Sequence, residues 1–128
     1  MLERCRILIV EDNDRNRKLF HLLIDSMGLV SILAGDGEEG LRKAREEAPD
    51  LVLLDIQMPG LDGLTVLARL RHDARTRQVP VIAVTSCAMP GDRERLLSAG
   101  FAEYLAKPID TRLFKQVVTG ILRDHGQR

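Results

Sequence analysis

The sequence has no surplus of either charge, no cysteine pair at redox or metal spacing, no apolar run long enough for a membrane, and no low-complexity tract. Nineteen acidic residues balance nineteen basic ones, so no net field is left to hold nucleic acid or anionic lipid. Cys5 and Cys87 lack C-x-x-C spacing and read as reduced thiols of a cytosolic protein rather than as a disulfide. No stretch approaches the ~18 apolar residues of a membrane span. The start MLERCRILIVED also lacks the long apolar core and small-residue cleavage site of a secretory signal. These absences leave one globular domain in the cytoplasm: 128 residues, 45% apolar and 30% charged, suit a single core.

Short apolar runs alternate with longer amphipathic ones, the signature of βαβ units around a parallel sheet. The strand-like runs are RILIV near residues 6–10, VSILA near 30–34, LVLLD near 51–55, VIAVT near 81–85 and the weaker AEYLA near 102–106. LVLL and VIAV show no polar alternation, which predicts strands covered on both faces. Five helices are expected. The first runs from about Asp14 to Met27, with Leu19, Leu22, Leu23 and Met27 as its apolar stripe, Asn13 or Asp12 as cap and Gly28 as left-handed stop. GEEGLRKAREEA forms the second, ending at Pro49; the third runs from about Gly63 to His72, and the fourth begins after Pro90 and Gly91. The last spans roughly Asp110 to Asp124, with Asp110 as cap and Leu113, Phe114, Val117, Val118, Ile121 and Leu122 as a core-facing stripe.

In open α/β sheets function collects outside the carboxyl ends of the strands. There the sequence puts Glu11 and Asp12, then Asp55, then Thr85 with Ser86, then Lys107 and Pro108. Carboxylates brought that close repel, and unless one takes a proton the cluster needs a cation. Hard oxygens suit Mg2+, which is usually held by one or two carboxylates plus substrate phosphate. That leaves Asp55 free to act as nucleophile toward a phosphoryl group, with Lys107 and Thr85 balancing the charge on its oxygens. Alone, Asp55 would read as a cap, Thr85 as a β-branched strand residue and Lys107 as a solvated charge; together they define a site.

ILIVEDN, LVLLDIQMPGLDG, VIAVTS and AEYLAKPI, in this order and spacing, resemble the receiver domain of bacterial two-component response regulators over nearly the whole chain. The resemblance implies a flavodoxin-like, doubly wound sheet of five parallel strands with five helices, in one domain spanning 1–128. It implies that Asp55 accepts a phosphoryl group from the phosphohistidine of a sensor histidine kinase or histidine phosphotransfer protein. Glu11, Asp12, Asp55 and the backbone carbonyl of Gln57 would hold Mg2+. Lys107 and Thr85 would contact the phosphoryl oxygens, Tyr104 would turn inward with Thr85, and Pro108 would follow a cis peptide bond. Such a domain assists its own phosphorylation and dephosphorylation and is not otherwise an enzyme. Its output is a protein partner read through the last two helices and the strand between them. Glu11 and Gln57 depart from the chemotaxis regulator, which has aspartate and asparagine there, and Gln57 and Cys87 stand where the family tunes hydrolysis. The segment EDNDRNRKLF is similar to stand-alone regulators and to receivers of hybrid kinases, and the chain's limits favour the stand-alone form.

Two further readings compete. GDGEEG at residues 35–40 fits the dinucleotide template G-x-G-x-x-G, and Asp55 lies about 20 residues beyond Gly35, where that fingerprint expects an acid. Asp36, Glu38 and Glu39, however, put like charge where a pyrophosphate would sit, so the loop is expected to be a turn and capped helix start, not a nucleotide or flavin site. The other is a receiver-fold scaffold that works without phosphorylation. His21 in HLLI is expected to be structural, and the Arg69, Arg71, His72, Arg75 and Arg77 cluster a solvated helix end. No base is placed to make Ser86 or Cys87 a nucleophile.

Overall fold

The computed structural model describes residues 4–86 and 89–126; Cys87 lies outside them. Strands and helices alternate strictly: β1 (Arg6–Val10), α1 (Asp14–Ser26), β2 (Val30–Ala34), α2 (Gly37–Glu47), β3 (Leu51–Asp55), α3 (Gly63–His72), β4 (Val81–Thr85), α4 (Asp92–Ala99), β5 (Glu103–Ala106) and α5 (Thr111–Gly126). The strands form one parallel sheet in the order β2-β1-β3-β4-β5. Chain direction across the sheet reverses at β1, so a crevice opens between the carboxyl ends of β1 and β3.

Each strand sends alternate side chains to opposite faces, and helices cover both. Ile7, Ile9, Leu51, Leu53, Ile82 and Val84 meet α1 and α5 through Phe20, Ile24, Phe114, Val118 and Leu122. Phe20 and Phe114 stack with ring centroids 5.8 Å apart. Leu8, Val10, Val52, Leu54 and Ala83 meet the other helices through Ala44, Val66, Leu67, Leu70 and Leu96. Every residue of β3 and β4 is buried, as their unbroken apolar runs predicted. Burial of this kind contributes about 25 cal/mol per Å2 of apolar surface, enough to set which face of each helix points inward.

The apolar stripe expected on α1 is rotated. Phe20 and Ile24 form its buried face, Leu23 and Met27 pack at its margin, and Leu22 stands 52% exposed with Leu19 beside it in solvent. A leucine-rich helix offers two overlapping 3.6-residue stripes, and the aromatic-centred one fills the space opposite Phe114. On α5, likewise, Leu113 lies outside the core, 47% exposed.

The loops carry the expected chemistry. Asn13 Oδ1 accepts from Asn16 N–H at 3.0 Å and so caps α1, which leaves Asp12 free of that role. Gly28, just past the helix, has φ of 77°. Asp110 accepts from Arg112 and Leu113 N–H to cap α5, as expected, and Asp62, not singled out by the sequence, accepts from Thr65 N–H to cap α3. In the decoy loop, Asp36 accepts from Glu39 N–H at 2.8 Å while Glu39 accepts from Gly35 N–H at 2.7 Å. These two side-chain bonds occupy N–H groups of the turn that a pyrophosphate would need.

Gly63 opens α3 against the loop leaving β3, where an added Cβ would lie 2.5 Å from Ile56 Cα. Gly63→Ala is expected to cost about 2 to 3 kcal/mol in chemical denaturation. Gly120→Ala, inside α5 with open space around it, is expected to gain about 0.5 to 1 kcal/mol. Equal effects of the two substitutions would contradict this packing.

Candidate functional site

Parallel register brings the strand ends to one rim. Val10 pairs with Leu54 and Asp55 with Val84, so Glu11 and Asp12, Asp55, and Thr85 with Ser86 emerge side by side. Glu11 and Asp55 are buried, at 1% and 3% exposure, and Asp12 is exposed. One carboxylate oxygen from each of these three residues lies within 4.8 Å of the others. Lys107, leaving β5, reaches back over the rim to place Nζ 3.1 Å from Glu11 Oε1 and 3.4 Å from Asp55 Oδ2. The Lys107–Pro108 peptide bond is cis.

Backbone contacts hold the carboxylates in place. Asn13 N–H donates to Glu11 Oε2 at 3.1 Å, and Gln57 N–H donates to Asp55 Oδ1 at 2.9 Å. Arg17 donates to the Glu11 carbonyl at 2.9 Å and pairs with Asp14, so the loop carrying Glu11 and Asp12 is tied to α1. Glu11 Oε1 is buried with no hydrogen bond of good geometry, the ammonium of Lys107 being its charged neighbour.

Electrostatics follow from that geometry. Burial, reinforced by the neighbouring Asp55 carboxylate, raises the Glu11 pKa from its usual 4.5 to about 7, despite the opposing Asn13 N–H bond and the Lys107 ammonium. For Lys107, burial works against the charged form, but Glu11 and Asp55 outweigh it and hold the pKa above its ordinary value. One ammonium faces three carboxylates, and the site lacks positive charge. Its donors are all hard oxygens, one of them buried without a hydrogen bond, and this set fits a divalent cation such as Mg2+.

Other expected residues fall at or near this rim. Thr85 is 2% exposed, and its carbonyl accepts from Lys107 N–H at 2.8 Å. The Gln57 side chain crosses to Ser86, where Oε1 accepts from both N–H and Oγ–H at 2.6 Å. Tyr104 is half-buried farther along β5, in a groove of about 290 Å3 with Arg93, Glu103, Ala106, Leu113 and Val117. The roles of the Gln57 and Arg17 side chains carry no sequence signal, because their partners are set by loop geometry rather than by motif.

His21 bonds Ser31 Oγ at 2.5 Å between α1 and β2, a structural contact as expected. The arginine-rich end of α3 is less solvated than expected. Arg71 donates to the carbonyls of Arg77 and Val79 at 3.1 and 2.7 Å and to Gly100 at 3.4 Å, tying two loops together. A cavity of about 390 Å3 between α2 and α3 contains none of the site residues, and its Arg42, Arg45 and Arg69 are paired with Glu46, Asp73 and Glu38.

The response regulator receiver domain model matches residues 7–119, and the chain belongs to this family. It is 45% identical over 118 residues to the polar-differentiation response regulator DivK of Brucella anthropi, covering 92% of this chain and 96% of DivK. Among solved structures, it is similar to the receiver domain of the sensor histidine kinase PA1611 from Pseudomonas aeruginosa. The two share 35% identity and a TM-score of 0.83, over 97% of this chain and 99% of that one. That structure holds a magnesium ion in its active-site cleft. A putative response regulator from Chloroflexus aurantiacus aligns with TM-score 0.88 and 29% identity, covering 94% and 99% of the two chains. The fold is therefore the five-stranded, flavodoxin-like receiver fold. No helix among the described residues is long and apolar enough to cross a membrane.

Because the folded protein holds the Glu11 proton more tightly than the unfolded chain does, the contribution of Glu11 to stability is present below about pH 4.5 and falls as pH rises toward about 7. The loss is on the order of 3 kcal/mol in metal-free protein. Denaturation across this range in chelator should show that decline in wild type and a flatter profile in Glu11→Gln. Parallel profiles would contradict the assignment.

Proposed function

We propose that this chain is a phosphoacceptor switch in which Asp55 takes a phosphoryl group from a phosphohistidine on a sensor histidine kinase or histidine phosphotransfer protein. The observation that carries this reading is the position of Lys107 Nζ, within salt-bridge reach of both Glu11 and Asp55 beside a carboxylate cluster that lacks positive charge. Asp12 and Asp55, with Glu11 behind them and the Gln57 carbonyl alongside, would hold Mg2+. Bound there, the ion supplies charge neutralisation to the phosphoryl oxygens in transfer.

The chain's own residues supply the rest. An Asp55 carboxylate oxygen attacks phosphorus while the P–N bond of the donor breaks, and that electron pair returns to the imidazole, which then accepts a proton. Gln57 N–H steadies Oδ1, so Oδ2, the oxygen facing Lys107, is the natural attacking atom. The Lys107 ammonium then follows the charge from carboxylate to phosphoryl oxygens, and the Thr85 hydroxyl at the end of β4 is the group that can move toward them. A modified Asp55 carries about −1.5 to −2 charge and three new acceptors, which favours arrangements that bring donors inward.

A downstream protein would read the change on the face of α4, β5 and α5. Tyr104 lies there in a groove with the exposed Leu113, and Arg93 donates to Glu103 through Nε and Nη2, each at 3.1 Å. The receiver-fold scaffold would leave the Lys107 bridge and the buried carboxylates without a purpose.

Intact-mass spectrometry after incubation with acetyl phosphate tests the switch. Wild type with Mg2+ should gain one phosphoryl group, Asp55→Asn should gain none, and Lys107→Ala should react about tenfold more slowly or worse. An adduct that persists in Asp55→Asn, or no adduct in wild type even at short times, would overturn the proposal.

A further inference from the structure

Gln57 holds both loops at the mouth of the site. Its backbone N–H donates to Asp55 Oδ1 at 2.9 Å, while its side-chain Oε1 accepts from Ser86 N–H and Oγ–H, each at 2.6 Å. Ser86 directly follows the buried Thr85, so this one carboxamide joins the loop after β3 to the loop after β4, 29 residues away. It also occupies both of Ser86's donors.

A phosphoryl group on Asp55, whose Oδ1 already bonds Gln57 N–H, would bring three acceptor oxygens up to the Gln57–Ser86 contact. Gln57 Oε1 only accepts, so while it holds Ser86 it takes up two donors that those oxygens could use. Gln57 and Ser86 are both exposed, so the bond between them can exchange for water at small cost and release is easy. We infer that the Gln57 carboxamide is a latch: it holds Ser86 while Asp55 is unmodified and competes with the phosphoryl oxygens for Ser86's donors. This inference rests on the phosphoacceptor reading above. Gln57 is on this view a positioning residue, setting how readily the modified state forms through its hold on the loop after β4.

Gln57→Met keeps the length of the side chain and removes the acceptor. In metal-free protein, exchange of the Ser86 amide with water, followed by NMR, should accelerate about 3- to 10-fold, the scale of one net hydrogen bond. With Mg2+, the affinity of Gln57→Met for beryllofluoride, which mimics an acyl phosphate, should rise by a similar factor. Ser86→Ala, which keeps the N–H and loses only the hydroxyl, should leave the amide more protected than Gln57→Met does. Unchanged amide exchange in Gln57→Met, or beryllofluoride binding that is equal or weaker than wild type, would overturn the latch and leave the phosphoacceptor reading standing. Failure of wild type itself to bind beryllofluoride would overturn both.

Discussion

Three carboxylates crowded within 4.8 Å at the end of a parallel sheet are the interaction on which the rest of the site depends. Two of them are buried, and their mutual repulsion is relieved in two ways within the chain: Lys107 reaches across from β5, and Glu11 holds its proton to about pH 7. Neither completes the balance, since a protonated Glu11 gives up the charge that would bind a cation and one ammonium does not match three acids. The site is left with more negative than positive charge, an imbalance that a divalent cation would offset.

Everything structural that makes this crowding possible is remote from it. The sheet order sets β1 beside β3, and the burial of their apolar residues between two helical layers holds the register that aligns Glu11 with Asp55. Gly63 lets α3 start against Ile56, which keeps the loop after β3 short and close to the rim. Hydrogen bonds around the rim then fasten each loop: the Asn13 N–H and the Arg17 side chain for the loop after β1, and the Gln57 side chain for the loops after β3 and β4. Buried strands present the acids, part-buried bonds hold the Glu11 and Asp55 carboxylates, and the Gln57–Ser86 bond lies exposed at the rim.

How much of this was legible in the sequence follows from what each signal depends on. Strand positions came through because buried parallel strands must be apolar runs, and the caps of the first and last helices because Asn13 and Asp110 act on N–H groups two or three residues away. The converging acids and lysine were visible because topology sends every strand end to one rim. The rotation of α1 was not, since Leu19 and Leu22 satisfy a helical period as well as Phe20 and Ile24 do, and only the partner Phe114 decides between them. Gln57 to Ser86 and Arg71 to Gly100 were invisible for the same reason: each joins loops distant in sequence, with no repeating pattern to announce the pair.

The charge balance is tested most directly by calorimetric titration of the metal-free protein with Mg2+ at about pH 6 and about pH 8. One ion per chain should bind, about tenfold more weakly at the lower pH and with release of a proton there, because the Glu11 carboxyl must ionise first. Asp12→Asn should lose most of the affinity. Binding of equal strength at both pH values without proton release, or binding that survives Asp12→Asn unchanged, would contradict the account.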